Sequence, residues 1–267
     1  MDSATSLYCI LGNPVEHSVS PVMHNSAFSA VGYNGAYLAF SVADLRAAFN
    51  GIRALGIKGV SVTIPYKVSV IDFLDDVDDT AIRIGAVNTV INRDGLLKGY
   101  NSDGLGAVNA LTEETTIRGR DVVILGAGGA ARAIGFGIIS EGGHLTIVNR
   151  TVKKGEALAR ELGAEFRPLS DMAKVEGTIL INATSVGMAP QSNEMPLEAD
   201  MIDAGMVVMD IVYNPVKTRF LKTAEGKGCQ TIDGVAMLVN QGAFQFELWT
   251  GIKAPVEIMR KAVYDAL

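Results

Sequence analysis

A short apolar run, Val122-Val-Ile-Leu125, leads straight into Gly126-Ala-Gly128-Gly129-Ala130-Ala131, and a second apolar run, Leu145-Thr-Ile-Val148, follows. No other stretch of the chain restricts its fold so tightly. The glycine segment fits G-x-G-x-x-G/A and sits where that pattern has meaning, after a buried strand and at the head of a helix expected from Ala130 to Ser140. Gly126 permits the tight turn, Gly128 lets the backbone approach a pyrophosphate, and Ala131 lets helix and strand pack closely. Exposed N–H groups at the helix start then hold the anion. The spacing predicts a strand–turn–helix–strand unit that binds a dinucleotide.

The far end of that unit bears on which dinucleotide. An NAD site carries Asp or Glu about 20 residues on, against the ribose 2′-hydroxyl. Here the second strand ends in Asn149-Arg150-Thr151 with no carboxylate, and Lys153 and Lys154 follow. A guanidinium suits a phosphate dianion through bidentate, charge-assisted hydrogen bonds. These residues point to the 2′-phosphate of NADP. An ordinary solvated strand-end arginine is the alternative that the residues alone leave open.

Strand and helix patterns alternate along the chain, which implies parallel sheets covered by helices. The first third offers strands at Leu7–Leu11, Ala36–Phe40 and Gly59–Thr63, with helices at Pro21–Val31 and Ala43–Leu55 between them. A hairpin is expected from Ala86–Ile91 and Leu96–Tyr100 through the turn sequence Asn92-Arg-Asp-Gly95. After a helix from Ser102 to Leu111 and a polar connector come six strand candidates: Val122–Leu125, Leu145–Val148, Glu165–Arg167, Ile179–Asn182, Val207–Ile211 and Gln230–Ile232. Six strands are what a doubly wound dinucleotide domain requires. Val235–Trp249 and Pro255–Ala266 read as two helices with no strand left to join, and they are expected to return to the first domain.

Bulk properties exclude several classes. At 267 residues, 48% hydrophobic and 19% charged, the chain has room for about two domains, each with its own core. A formal charge of −6 without a dense Lys/Arg cluster argues against a nucleic-acid surface. Cys9 and Cys229 lie in apolar, strand-like surroundings and read as buried thiols of a reducing compartment. His17, His24 and His144 lack metal-ligand spacing, and no metal is expected. The start of the chain has no basic segment ahead of an apolar one, and no apolar run approaches the roughly 18 residues of a membrane span. A cytoplasmic location with no membrane partner is the expectation.

The substrate has to be supplied by the first domain. Three clusters there are polar where packing does not ask for it. In Gly12-Asn-Pro-Val-Glu-His-Ser18-Val-Ser20-Pro21, Ser20 before Pro21 reads as a helix N-cap; Ser18 lacks that explanation, and the two hydroxyls could hold a carboxylate. Lys67 follows the strand end Thr63-Ile-Pro65-Tyr66, a place where α/β enzymes carry reacting groups, although a solvated turn lysine explains it too. Gly85-Ala-Val-Asn88-Thr and Gly99-Tyr-Asn101-Ser102-Asp103-Gly104 add amides that bind hydroxyls in both directions, and a carboxylate that also suits the first turn of a helix. In the second domain, Asn182-Ala-Thr184-Ser185 and Asp210-Ile-Val-Tyr213 close strands with polar loops. Met237 and Gln241 are spaced to share a helix face.

In this order the clusters resemble the shikimate dehydrogenase family, from Cys9 to Ala266. G-x-P-x-x-H-S-x-S-P is Gly12 to Pro21, V-T-x-P-x-K is Val62 to Lys67, G-A-V-N-T is Gly85 to Thr89, and G-x-N-T-D-x-x-G is Gly99 to Gly106 with Ser102 in place of threonine. G-A-G-G-A, N-R-T, N-A-T-S-x-G-M, V-Y-x-P and D-G-x-x-M-L-V-x-Q are also present. Ser61 departs from the asparagine usual before Val62. The resemblance implies an N-terminal α/β substrate domain (1–103 plus 236–267) and a doubly wound Rossmann domain for NADP (104–235). It implies reversible NADPH-dependent reduction of 3-dehydroshikimate to shikimate, on the chorismate route to aromatic amino acids. Lys67 and Asp103 would be catalytic, with the direction in which each acts as base left open. Ser18, Ser20, Thr63, Asn88, Tyr213 and Gln241 would hold substrate together with that pair. Asp79, Gly126, Ala127, Gly128, Gly129, Ala130, Asn149, Arg150, Thr151, Lys153, Lys154, Thr184, Ser185, Ile211 and Gly234 would hold the cofactor.

A quinate/shikimate dehydrogenase with relaxed substrate and cofactor use is the nearest alternative, and Arg150, Lys153 and Lys154 speak against a preference for NAD. A non-catalytic NADP-sensing module has no need of both Lys67 and Asp103. A homodimer is the candidate assembly, on which the sequence is silent.

Overall fold

The computed structural model describes residues 1–172 and 174–267. The chain divides into two units, residues 1–102 with 239–266, and residues 103–238 with Leu267.

The first unit opens with β1 (Ser6–Gly12), α1 (Ser20–Ala30), β2 (Gly35–Ser41), α2 (Leu45–Leu55) and β3 (Gly59–Val62). These strands pair in parallel, β1 lying between β2 and β3. The cap of α1 differs from expectation: Val19 holds the N-cap position without a side-chain bond, and Ser20 is already helical. The Ser20 hydroxyl is therefore not spent on capping. By contrast Asp44 caps α2, accepting from the Ala47 N–H at 3.0 Å.

β4 (Asp76–Val77), α3 (Asp79–Ile84), β5 (Thr89–Arg93) and β6 (Leu96–Tyr100) complete the sheet in the order β2-β1-β3-β5-β6-β4. It is a mixed sheet, not the parallel one that alternation alone predicts, because β5 runs antiparallel to both β3 and β6. The hairpin turn is shorter than expected: Asp94 and Gly95, at φ 54° and 89°, form a two-residue loop of the mirror-image type that matches strand twist. One face of the sheet packs Cys9, Leu11, Val60 and Val62 against Leu45, Phe49 and Ile52 of α2.

The second unit starts with α4 (Asp103–Thr112) and then alternates β7 (Asp121–Leu125), α5 (Gly129–Ser140), β8 (His144–Asn149), α6 (Val152–Leu162), β9 (Glu165–Pro168), β10 (Ile179–Asn182), β11 (Val207–Asp210), α7 (Arg219–Gly226) and β12 (Gln230–Ile232). All six strands are parallel, in the order β12-β11-β10-β7-β8-β9. Counted within the unit this is the doubly wound order of dinucleotide-binding folds. Successive residues of β7 serve opposite faces. Val122 and Ile124 join one core with Ile134, Ile138 and Leu158, while Val123 and Leu125 join the other with Phe220 and Leu221.

α8 (Gly234–Thr250) begins in the second unit and continues into the first, where α9 (Val256–Ala266) ends the described helices. Within the first unit, Trp249 of α8 donates its indole N–H to the Val90 carbonyl at 3.0 Å and meets the Tyr8 ring with centroids 5.3 Å apart. That indole lies where a side chain at Gly59 would have to go: a Cβ there would stand 2.4 Å from Trp249 Nε1. His24 of α1, fully buried, stacks on Tyr37 at 4.5 Å.

Candidate functional site

In the first unit, strand pairing gathers residues from distant segments. Past the end of β3 the chain turns, with the Tyr66 N–H bonded to the Thr63 carbonyl at 2.9 Å, and it delivers Lys67 half-buried. The Lys67 carbonyl accepts from the Val87 N–H at 2.7 Å, which fixes the lysine backbone beside Asn88. Asn88 is buried, and its Oδ1 accepts from the Ser102 N–H at 2.8 Å. The Ser102 hydroxyl donates on to Gln241 Oε1 at 3.3 Å, so the amide on α8 joins the amide at the head of β5. Ser18 accepts from the Ser20 N–H at 3.3 Å in the loop after β1. Asp79 is exposed at the start of α3 in this unit.

In the second unit the cofactor residues sit on strand ends. Gly126 has φ +117°, and a Cβ there would lie 3.1 Å from the Ala183 carbonyl and 3.0 Å from the Thr184 methyl, so only glycine fits between the ends of β7 and β10. At the head of α5, Gly128 offers no side-chain cap, no acidic residue occupies the first turn, and a Cβ on Gly128 or Gly129 would meet nothing within 4 Å. No side chain crowds that turn, and the N–H groups of a helix's first turn suit an anion.

The head of α6 is more pointed. Thr151 holds the N-cap position without a capping bond, and Lys153 and Lys154 stand exposed in a first turn that carries no acid. Arg150 is exposed just before it. Cations at a helix N-terminus oppose the helix dipole. Among the described residues no carboxylate pairs with Arg150, Lys153 or Lys154. Three unneutralised cations against a dipole fit a phosphate dianion well and a neutral ribose hydroxyl poorly.

Thr184 donates its hydroxyl to Asn182 Oδ1 at 2.7 Å, and Ser185 follows exposed. Gly234 lies so close to β11's exit that a Cβ would be 2.6 Å from the Ile211 carbonyl, which brings these two candidates together. Tyr213 is half-buried, and burial pushes its phenol pKa up. Asp103 opens α4 and is buried.

Sequence reasoning assigned no role to Asp210, Thr89 or Gln245. Asp210 is fully buried, with Asn182 Nδ2 at 2.9 Å and the Val212 N–H at 3.0 Å donating to it; burial drives its pKa up to about 6. It thus ties the Thr184 loop to the Tyr213 loop. The signal was present, an acidic residue ending an otherwise apolar strand, though nothing in the sequence gives its partners.

The N-terminal part, residues 10–90, matches the shikimate dehydrogenase substrate binding domain; residues 109–221 match the shikimate / quinate 5-dehydrogenase family, and residues 234–264 the shikimate 5′-dehydrogenase C-terminal domain. The shikimate dehydrogenase (NADP(+)) of Geobacillus kaustophilus is 48% identical over 98% of each chain. The chain belongs to the shikimate dehydrogenase family. Among solved members of that family, a shikimate dehydrogenase in complex with NADP+ superposes with a TM-score of 0.96 at 42% identity, covering 99% of this chain and 96% of the other. The Thermus thermophilus enzyme, in complex with NADP(H) and shikimate, superposes at 0.93 with 37% identity, covering 98% and 100%. No helix among the described residues is long and apolar enough to cross a membrane, and none of their acidic, histidine or cysteine side chains gather into a metal-binding group.

Proposed function

We propose that the chain interconverts 3-dehydroshikimate and shikimate with NADP(H), a step on the route to aromatic amino acids, and that it does so in the cytoplasm. Family membership over the full chain supports the reaction. The observation that carries the cofactor choice is the head of α6, where three cations oppose the dipole with no acid beside them. NADP would be held by Gly126 to Ala130 at its pyrophosphate and by Asn149 to Thr151, Lys153 and Lys154 at its 2′-phosphoribose, with Asp79, Thr184, Ser185, Ile211 and Gly234 completing the set. When bound, its nicotinamide supplies or accepts the hydride.

The chain's own residues bind, orient and move the proton. Lys67 would exchange a proton with the substrate oxygen that alternates between carbonyl and hydroxyl, since a positioned acid/base group removes charge build-up on that oxygen. Asp103 would orient the same oxygen. Asn88 and Gln241, held against one serine, can donate to and accept from ring hydroxyls. Ser18 and Ser20 would take the carboxylate, with Thr63 and Tyr213 at the rim. The division 1–103 plus 236–267 for substrate and 104–235 for cofactor belongs to this reading.

The test is initial-rate turnover of shikimate with NADP+, beside quinate and NAD+, followed by reduced-cofactor absorbance. Shikimate with NADP+ should give the highest kcat/KM of the four combinations. Faster turnover of quinate would move the chain to the quinate branch, and no turnover of any pair would leave a binding module.

A further inference from the structure

Position 35 has room for little beyond glycine: a Cβ there would stand 2.8 Å from the Tyr33 ring and 3.1 Å from Phe28. Asn34 precedes it, so an Asn-Gly pair marks the entry to β2. Such a pair is chemically weak, because no side chain shields the glycine nitrogen from the asparagine carboxamide. Here the pair is locked from several sides. The turn at residues 2–5 reaches Asn34, whose Nδ2 donates to Asp2 Oδ1 at 2.8 Å and whose Oδ1 accepts from the Thr5 hydroxyl at 3.0 Å. A carboxylate can only accept, so the atom facing Asp2 is the amide nitrogen, and Thr5 meets the oxygen. In the backbone, the Asn34 carbonyl accepts from the Ser6 N–H at 3.0 Å, and the Gly35 N–H donates to the Tyr33 carbonyl at 2.9 Å. A donor on the amide oxygen and an acceptor at its nitrogen both favour the resonance form with a double C–N bond, which resists attack.

We propose that Asn34–Gly35 is a site of spontaneous deamidation whose rate is set by the turn of residues 2–5. The Gly35 nitrogen attacks Asn34 Cγ and forms an N–C bond. The Cγ–Nδ2 bond breaks, and Nδ2 leaves as ammonia with the Gly35 proton. Water then opens the five-membered imide at either carbonyl, to aspartate or to an isoaspartyl link. Ring closure draws the carboxamide back onto its own chain, away from Asp2 and Thr5, and takes the Gly35 N–H from Tyr33. Either product leaves a carboxylate opposite that of Asp2, and the two repel, so the lock does not reform. The isoaspartyl link also adds one backbone atom just ahead of the Ser6–Gly35 pairing that starts the β1–β2 register.

Asn50–Gly51 supplies the comparison within the same chain. It lies inside α2, where helical hydrogen bonds restrain it and the turn of residues 2–5 does not. The parent, Asp2→Ala, Asp2→Asn and Thr5→Val are held at mildly alkaline pH, and the deamidated fraction at each asparagine is followed by peptide mass spectrometry. Asp2→Ala removes a bond to a charged acceptor, so Asn34 should deamidate roughly tenfold faster, the rate equivalent of that bond. Thr5→Val should accelerate it by a smaller factor. Asp2→Asn keeps an acceptor for Nδ2 and should return most of the protection. Asn50 should hold its parental rate in every variant. A parental rate at Asn34 in Asp2→Ala overturns the proposal. Equal acceleration at Asn34 and Asn50 also overturns it, by tracing the effect to opening of the whole unit.

Discussion

Asp210 accepts a hydrogen bond from the Thr218 hydroxyl at 2.7 Å with its carboxylate wholly removed from water. Burial outweighs its three donors, and its pKa rises from 3.8 to about 6. A folded-state pKa above the unfolded one means that the folded protein holds a proton the unfolded chain has released. This contribution to stability is fully present below 3.8 and is lost as pH rises through about 6. Asp210→Asn keeps an acceptor for Asn182 and Val212 and lets Thr218 accept, without the buried charge. Its Tm relative to the parent should be higher at about pH 8 than at about pH 4, by the equivalent of at most about 3 kcal/mol. Thermal unfolding at the two pH values checks this; a difference that does not change with pH would sink it.

His24 shows the opposite sign. Its ring nitrogens meet no partner at hydrogen-bonding geometry, although the nearby Gln245 amide mildly favours the charged form, and burial takes its pKa from 6.5 down to about 3. Here the unfolded chain binds the proton first. The stability is present above 6.5 and drains away as pH falls towards 3. His24→Phe, facing Tyr37 and Trp249, should flatten the fall of Tm between about pH 6.5 and pH 4. If the variant loses stability on acidification as steeply as the parent, another group is responsible.

Replacing Lys67 by alanine should lower kcat by roughly 10²- to 10⁴-fold while shikimate binding, measured by titration calorimetry, changes far less. Near-parental turnover would make it a solvated turn residue.

Arg150→Ala should raise KM for NADP+ by roughly tenfold or more, the loss of a charge-assisted bond, and leave KM for NAD+ nearly unchanged. The cofactor-free variant should melt slightly above the parent, because one cation opposing the α6 dipole is gone. Equal losses with both nucleotides would make Arg150 a residue of the fold.

Much of this was legible in the chain because the signals are local. Val122 to Val148 carry strand, turn and helix in consecutive residues, and all six strands of the second unit lie where the sequence places them, within a residue at either end. The two-residue β4 was not readable, since Asp76 and Val77 have no pattern of their own and become a strand only by pairing with Lys98 and Gly99. The α1 cap was misread because Ser-Pro suits N-cap and N1, whereas here the helix begins one residue earlier. Least legible were the buried hydrogen bonds that the Gln245 amide makes, donating to the Thr89 hydroxyl and accepting from Ser61. Gln245 and Thr89 are 156 positions apart, and each alone looks like an ordinary strand or helix residue. Periodicity reports which face is buried, and it is silent on which buried hydroxyl meets which amide.

The indole of Trp249 fills the volume above Gly59, and this has a consequence for how the sequence can drift. Any side chain at position 59 collides with the ring, and any smaller residue at 249 leaves a hole beneath β3 and strands the Val90 carbonyl without its donor. Either change alone should cost stability, so a sequence that alters one position passes through a weakened intermediate unless it changes both together. Sterics thus couple two positions that the chain keeps far apart in sequence.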